Sequence, residues 1–415
     1  MNKRLTANRL FSGIGWQERG IANSKLFDIE IKTTSDISKE AILAYAVIHC
    51  GLTNEMIATY SKYPTKEKMI KELTEKNIGF DIEKNRVFNW SKKSIEEIKK
   101  YWLAVKLSKN AGDISKIESL PYADLWTCSF PCTDISAAGK MKGLNPNDST
   151  HSSLLWENIR LLKKAKEDGL LPKYLLFENV KNLVSKRFIK DFNDLLEILD
   201  NIGYNSYWKV LNAKDCNIPQ DRERVFVICI RKDIDKGTFT FPKSIKLKVK
   251  LKDLLDEQVD AKYYLKVQKQ VSSVEGDQQY IDNLSNTQVF VKRKLQSLLD
   301  KRDGTLPELF NAYNCKELKE YAPTVTTQCS SATSSAVVLK KEANYRIRKY
   351  TPIECWRLMG FDSNDCIRVK EIGIADGQLY KQAGNGIVIN CVELLMEHLY
   401  KAQYEEKYVC SDEKE

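Results

Sequence analysis

Twice within the first fifty residues the chain passes from a short apolar stretch through a turn into a helical pattern. LFSGIGWQERG at 10–20 reads as a strand, a glycine turn and a helix. A second strand near 29–35 ends at Asp36, and SKEAILAYAVIHC continues as an amphipathic helix. Such alternation leaves little choice of architecture, because consecutive strands joined by helices lie parallel and are covered by those helices. The expectation is an α/β fold built on a doubly wound sheet. Further strand candidates are ADLWTCSF, KYLLFEN and RVFVICI, each short and apolar between turn residues. Residues 51–111 interrupt the alternation with the Lys/Glu-rich patterns KEKMIKELTEK and SIEEIKKYWLAVKLSK, and read as a helical insert. Over 236–343 the periodicity breaks and a Ser/Thr-dense run, TVTTQCSSATSS, occurs. The change predicts a smaller irregular domain over 236–343, after a first domain over 1–235. The segment 344–415, with TPIECWRLMG and QAGNGIVINCVELLMEHLY, is expected to return to the first domain.

A chain of 415 residues, 42% hydrophobic and 29% charged, has material for two domains with buried cores. No stretch reaches the ~18 consecutive apolar residues of a membrane span, and the polar start MNKRLTANRL lacks the apolar centre of a secretory signal. These absences predict a cytoplasmic protein without membrane contact. A count of 66 basic against 56 acidic residues leaves +10, which suits a polyanionic partner. The 11 cysteines contain no CxxC pair, the nearest two being Cys128 and Cys132. In a reducing compartment they read as thiols, mostly small core residues, and no metal site is expected.

FSGIG at 11–15 puts two glycines where a strand meets a helix, which lets the backbone approach a nucleotide-like ligand. The dinucleotide fingerprint GxGxxG fails, because Glu18 stands at the third glycine position. Asp36, about twenty residues on, suits a ribose hydroxyl pair. Asp113 in GDIS is either an acceptor for an adenine amino group or the N-cap of a turn. Together they fit an adenosyl ligand without a pyrophosphate. Cys132 follows Pro131 at the end of ADLWTCSF, so its thiol is expected at the carboxyl edge of the sheet, where open α/β folds bind ligands. A nucleophilic thiolate needs a lowered pKa and partial exposure, although a lone Pro-Cys is more often structural. FENV at 177–180 brings Glu178 to the same edge, where an acid needs a partner or a task. QDRER at 220–224 puts Arg222 and Arg224 two residues apart at the start of RVFVICI, facing one side unless they pair with Asp221 or Glu223.

In that order FSGIG, PC, ENV, QxRxR and GN resemble the DNA (cytosine-5) methyltransferase family of bacterial and phage type, over 9–232 and 344–400. LNAKDCNIPQDRERVFVICIRKD and YKQAGNGIVIN are especially close to its pattern. The resemblance implies a Rossmann-like methyltransferase sheet that uses S-adenosylmethionine and releases S-adenosylhomocysteine, with target recognition assigned to 236–343. Carbon 5 of cytosine is a poor nucleophile, so a thiolate, here Cys132, adds first to carbon 6. By the same resemblance Glu178 holds the exocyclic amino group and N3, and Arg224, with Arg222 in support, holds the O2 side. Carbon 5 then accepts the methyl group, and loss of its proton expels Cys132. The base must leave the duplex to react, so flipping is implied, with 133–150 as the candidate lid.

Position by position, the family pattern assigns Phe11, Gly13 and Ile14 to the methionine and adenine side of the cofactor. Asp36 takes the ribose hydroxyls, Ile37 the adenine face, and Asp113 and Ile114 the adenine edge. Pro131, Leu154, Asn385 and Ile387 complete that pocket. Ser136 and Lys140 are expected at the DNA backbone, and Gln328, Ser330 and Ser331 at the bases. Four positions depart from the pattern: Thr133 for a glutamine, Ile37 for an aromatic, Trp16 for a glycine and Gly386 for the serine of GNS. None removes a group that the chemistry requires.

The expected partner is double-stranded DNA, methylated by a monomer in the bacterial cytosol or nucleoid. Restriction-modification beside a separately acting endonuclease, or phage self-protection, is the expected role. The tRNA-methylating branch of the family is the alternative, opposed by the sizeable recognition region. A nicotinamide-dependent dehydrogenase is opposed by the broken GxGxxG, and a binding-only protein by the presence of Cys132, Glu178 and Arg224.

Overall fold

Six of the strands form one sheet: β1 (Lys3–Leu10), β2 (Phe27–Ser35), β3 (Leu125–Cys128), β4 (Tyr174–Val180), β5 (Tyr204–Asn212) and, after the two-residue β6 (Gln220–Asp221), β7 (Glu223–Arg231). Their order is β2-β1-β3-β4-β7-β5, and β7 alone runs against its neighbours. The structure is a computed structural model describing residues 2–81, 84–131, 135, 154–268, 276–285, 289–302, 306–311, 314, 316–330, 336–341 and 345–405. Two compact units divide the chain: Met1–Asn212 with Glu223–Ser244 and Ile389–Glu415, and Ala213–Arg222 with Ile245–Val388.

In the first unit, side chains alternate between the faces of the sheet as strand geometry requires. Leu10, Trp126, Cys128, Leu175, Phe177, Val225, Val227 and Cys229 enter one buried cluster with residues from two later helices. The helices are α1 (Trp16–Asn23), α2 (Lys39–Cys50), then α3 (Asn54–Thr59), α4 (Lys66–Glu75) and α5 (Ile95–Leu107) of the insert, then α6 (Leu155–Glu167) and α7 (Ile189–Ile202). Leu155, Ile159 and Leu162 of α6 and Phe192, Leu195 and Leu199 of α7 fill that cluster. On the opposite face the Tyr174 hydroxyl lies 3.3 Å from that of Tyr404, in the terminal helix of the unit, Ile389–Tyr404, which also packs on α1. Helices therefore cover both faces.

The insert helices each begin on a hydroxyl cap: Thr53, Thr65 and Ser94 accept backbone N–H bonds. β1, polar in sequence, is nevertheless an interior strand, and its Asn8 donates to the Pro121 carbonyl at 2.8 Å. The buried Arg9 guanidinium has no hydrogen-bond partner among the described residues. Burial pulls its pKa down, opposed by the nearby Glu18 and Tyr45.

The second unit contains α8 (Gly276–Asp282), α9 (Val289–Asp300), β8 (Leu309–Asn311), β9 (Lys316–Glu317), β10 (Ala322–Pro323), β11 (Ala336–Lys341), β12 (Tyr345–Lys349), α10 (Pro352–Arg357), α11 (Ser363–Glu371) and α12 (Asp376–Asn385); the helix Ile389–Tyr404 of the first unit is α13. An antiparallel sheet of order β12-β11-β8-β9 packs with α8 and α9 around Tyr280, Ile281, Leu295, Leu298, Phe310 and Ile347. β10 pairs with β6. The chain after 344 stays in this unit, where β12 pairs with β11 and the fully buried Arg348 and Glu354 meet at 2.7 Å; it rejoins the first unit at Ile389.

Asp124, one residue before β3, joins β1 to the starts of β3 and β4. It accepts the Thr6 N–H at 3.0 Å and the Thr6 hydroxyl at 2.6 Å, and pairs with Lys173 at 2.9 Å. Burial alone would raise its pKa, but the bonds from Thr6 and Lys173 outweigh it and hold the carboxyl at about 2, below its ordinary 3.8. An acid depressed in the folded state stabilises it above the unfolded pKa, and the contribution is lost as pH falls through the folded one. Acidification across that window should remove up to about 2 kcal/mol of folding free energy from this residue. Urea unfolding followed by circular dichroism should show that loss in the native chain and a flatter pH profile in Asp124→Asn.

Candidate active site

Strand order reverses between β1 and β3, and the carboxyl ends of the two strands flank the crevice where open α/β sheets bind ligands. Register sets Leu10 beside both Ser35 and Cys128, so 11–15, Asp36 and 129–131 leave the sheet at one level. Phe11 leaves in the left-handed region, φ 56, a conformation costing an L-residue roughly 1–2 kcal/mol. Strain of this kind concentrates at functional sites. The Gly13 N–H donates to one oxygen of Asp36 and the Ser38 N–H to the other, each at 2.8 Å. Burial pushes the Asp36 carboxyl above its ordinary value in spite of these donors.

Gly15 has φ 87, and a Cβ there would lie 2.1 Å from Nε2 of His49. That imidazole sits 3.1 Å from the Ile14 carbonyl and, through Nδ1, 3.5 Å from Glu18, whose other oxygen accepts the Tyr45 hydroxyl. Glu18, Tyr45 and His49 thus buttress the glycine turn from below. Sequence reasoning registered Glu18 only as a fault in a glycine pattern. The available signal was Tyr45 and His49, polar groups four residues apart on an otherwise apolar helix.

Asp113 caps the turn Ile114–Lys116, accepting the Ser115 N–H at 3.0 Å and its hydroxyl at 2.8 Å, while its second oxygen accepts Nδ2 of Asn77 at 2.8 Å. Ile114 is buried, and Arg160 donates to its carbonyl at 3.2 Å. Phe11 and Leu154, both half-buried, pack on the cluster that holds Ile114, Phe130 and Ile135. Ile37 is half-buried and accepts the Gly79 N–H at 2.7 Å.

At the far side of this edge, Glu178 lies on β4 and Arg224 opens β7, opposite Val180. Arg224 Nε stands 3.3 Å from Glu178 Oε1, and the two side chains are 17% and 10% exposed. Two amides from the same strand exit reach the Pro-Cys segment: Asn179 donates to the Phe130 carbonyl at 3.1 Å and Asn182 to the Ile135 carbonyl at 2.5 Å. Neither amide had been given a role from the sequence. Pro131 is half-buried; Cys132, Ser331 and, apart from the buried Ile135, the expected lid with Ser136 and Lys140 lie outside the described residues. Among the described cysteines, burial lifts Cys128 far above its ordinary pKa and Cys229 to about 12, which makes both inert thiols.

Arg222 departs from expectation. It falls between β6 and β7, which belong to different sheets, so it does not share a strand face with Arg224. Its buried guanidinium donates to the carbonyls of Val325 at 2.8 Å, Gly384 at 3.1 Å and Gly386 at 2.6 Å, clamping backbone within the second unit. Asn385 ends α12 of that unit and is exposed, while Ile387 is buried. Gln328 and Ser330 are exposed on a turn that Lys349 joins by donating to the Ser330 carbonyl at 2.8 Å.

A family model for C-5 cytosine-specific DNA methylases matches residues 76–401. The chain belongs to that family. Its activity is methyl transfer to carbon 5 of cytosine in DNA. The chain is similar to the type II methyltransferase M2.ScrFI of Lactococcus lactis subsp. cremoris, at 35% identity over 95% of this chain and 98% of the relative. The orphan methyltransferase M.SssI of Spiroplasma monobiae is 30% identical over 96% and 97%. Among solved structures, the Entamoeba histolytica methyltransferase EhMeth aligns over 96% of this chain and 99% of its own at a TM-score of 0.55 and 17% identity, a likeness of fold. The methylase family is one of S-adenosylmethionine-dependent enzymes.

Loss of the Arg224 guanidinium removes a charge partner from a nearly buried carboxylate. Arg224→Ala should therefore lower the unfolding free energy by about 2 kcal/mol at neutral pH, with Arg224→Lys recovering part of it. Chemical denaturation of the two variants reads this directly.

Proposed function

We propose that this methylase acts on cytosines flipped from double-stranded DNA, through a covalent adduct with Cys132, using S-adenosylmethionine bound at the carboxyl ends of β1 and β2. The observation that carries the reading is the Glu178–Arg224 pair at the same sheet edge as the Phe130–Pro131 segment leading to Cys132. The residues present suit the adenosyl group. Asp36, an acid whose ionised form burial disfavours, offers acceptors to a pair of ribose hydroxyls. Asp113 offers one to the adenine amino group, and Phe11, Ile37, Ile114, Pro131 and Leu154 supply apolar surface.

When bound, S-adenosylmethionine supplies a methyl group on a positively charged sulfur. The chain supplies the rest. The Cys132 thiolate adds to carbon 6, forming a carbon–sulfur bond and turning carbon 5 into a nucleophile. Glu178 holds the exocyclic amino group and N3 while charge builds on the ring, and Arg224 faces the O2 side. Once carbon 5 is methylated, its proton is lost to a base and the electron pair expels Cys132 as thiolate. We assign Arg222 to holding 384–386, and Asn385 and Ile387 to the cofactor. We assign Ser136 and Lys140 to phosphate contacts, and Gln328, Ser330 and Ser331 in the second unit to base reading. The net charge of +10 suits a phosphate backbone. Because relatives include a type II and an orphan methyltransferase, the proposed role is marking resident bacterial or phage DNA, with or without a companion endonuclease. A monomer acting in the cytosol suffices.

Cys132→Ala should lower methyl transfer from labelled S-adenosylmethionine to duplex DNA by at least about a thousandfold, while S-adenosylhomocysteine binding stays within about twofold. Turnover retained in that variant would remove the covalent step. Bisulfite sequencing of plasmid from expressing cells should reveal protected cytosines at one recurring site, and labelling of tRNA rather than duplex DNA would move the enzyme to the other polymer.

A further inference from the structure

The insert is threaded into the edge where the adenine would lie. Its loop at 76–80, just after α4, bonds to Ile37 and Asp113, two of the three residues assigned there. The Gly79 N–H donates to the Ile37 carbonyl at 2.7 Å, and the Lys76 carbonyl accepts the Asp113 N–H at 3.1 Å. Lys76 also donates through Nζ to the Asn110 carbonyl at 2.5 Å. The approach is close: a Cβ on Gly112 would lie 2.3 Å from the Lys76 carbonyl oxygen. Asn77 occupies the left-handed region, φ 54, which asparagine tolerates better than most residues. From there Nδ2 donates to Asp113 Oδ2 at 2.8 Å, and Oδ1 accepts Lys116 Nζ at 3.0 Å.

We propose that Asn77 of the insert is a positioning residue for the adenosyl ligand, fixing the Asp113 carboxylate so that it receives the adenine amino group. The inference rests on the adenosyl reading of Asp36 and Asp113. A carboxylate offers about four acceptor directions. Ser115 takes two through its N–H and hydroxyl, both on Oδ1, and Asn77 takes one on Oδ2. Three donors from two sides stop the group from rotating and leave one direction for an incoming donor. With Asn77 removed, Asp113 keeps its cap on Ser115 but loses its fixed tilt. The insert therefore contributes to selecting adenine, and the discrimination against a purine without the amino group passes through it.

Calorimetric titration of the full chain with S-adenosylhomocysteine, and with the analogue carrying hydrogen in place of the 6-amino group, tests this. The native protein should prefer the amino ligand. Asn77→Gly, which keeps the backbone conformation, should weaken that ligand by about tenfold and leave the analogue within about twofold, compressing the preference. Asn77→Asp, which tolerates the same φ and sets a second carboxylate beside Asp113, should compress it at least as far, and carries the test if the glycine variant does not fold. Equal weakening of both ligands, or no change in either, overturns the proposal. Asp36→Ala is the separate control: if it binds S-adenosylhomocysteine as the native chain does, the adenosyl reading itself fails. Weakened binding in Asp36→Ala beside native behaviour in the Asn77 variants removes only the role of the insert.

Discussion

Parallel pairing of β1 with β2 on one side and β3 on the other is the constraint from which the rest follows. Three strand exits then lie at one level, and each delivers a different chemical type: a glycine turn, an acid, and the Pro-Cys segment. β7, running the opposite way, begins where β4 ends, so Arg224 comes to Glu178 from a strand start. A wholly parallel sheet would put those two residues at opposite ends.

Charged groups in the two units divide into two kinds. Arg348 with Glu354, and Asp124 with Lys173 and Thr6, are paired and serve to hold elements together. Asp36 and Arg9 are disfavoured by burial, one pushed up and the other pulled down. Both flank the turn at 11–15. Free energy spent beside a ligand site while the ties elsewhere are paired is the usual division between function and stability.

Most of the sheet was legible because its strands are short apolar runs between turn residues, and the two opening βα units dictated parallel pairing. β5 was missed because Lys209 and the exposed Trp208 interrupt its pattern. In the second unit, strands of two or three residues are too brief to show a period of two. That Arg224, at a strand start, meets Glu178 needed the antiparallel course of β7, which the strand patterns do not show; the placement of Glu178 at the edge followed from its strand end alone. Arg222 did not, since a strand-period argument assumes an unbroken strand and this one changes sheets at 222. Glu18, His49, Asn77, Asn179 and Asn182 act across long separations in the chain, and only tertiary contact reveals them.

Redesign of the enzyme meets a limit at the insert. Residues 51–111 look like a removable ornament on a shared core, and a protein engineer seeking a smaller editing tool would cut there first. Because 76–80 supplies an N–H to Ile37 and an amide to Asp113, excision removes a donor from each of them. A shortened version would have to rebuild that wall from a linker, and a flexible one would not hold it.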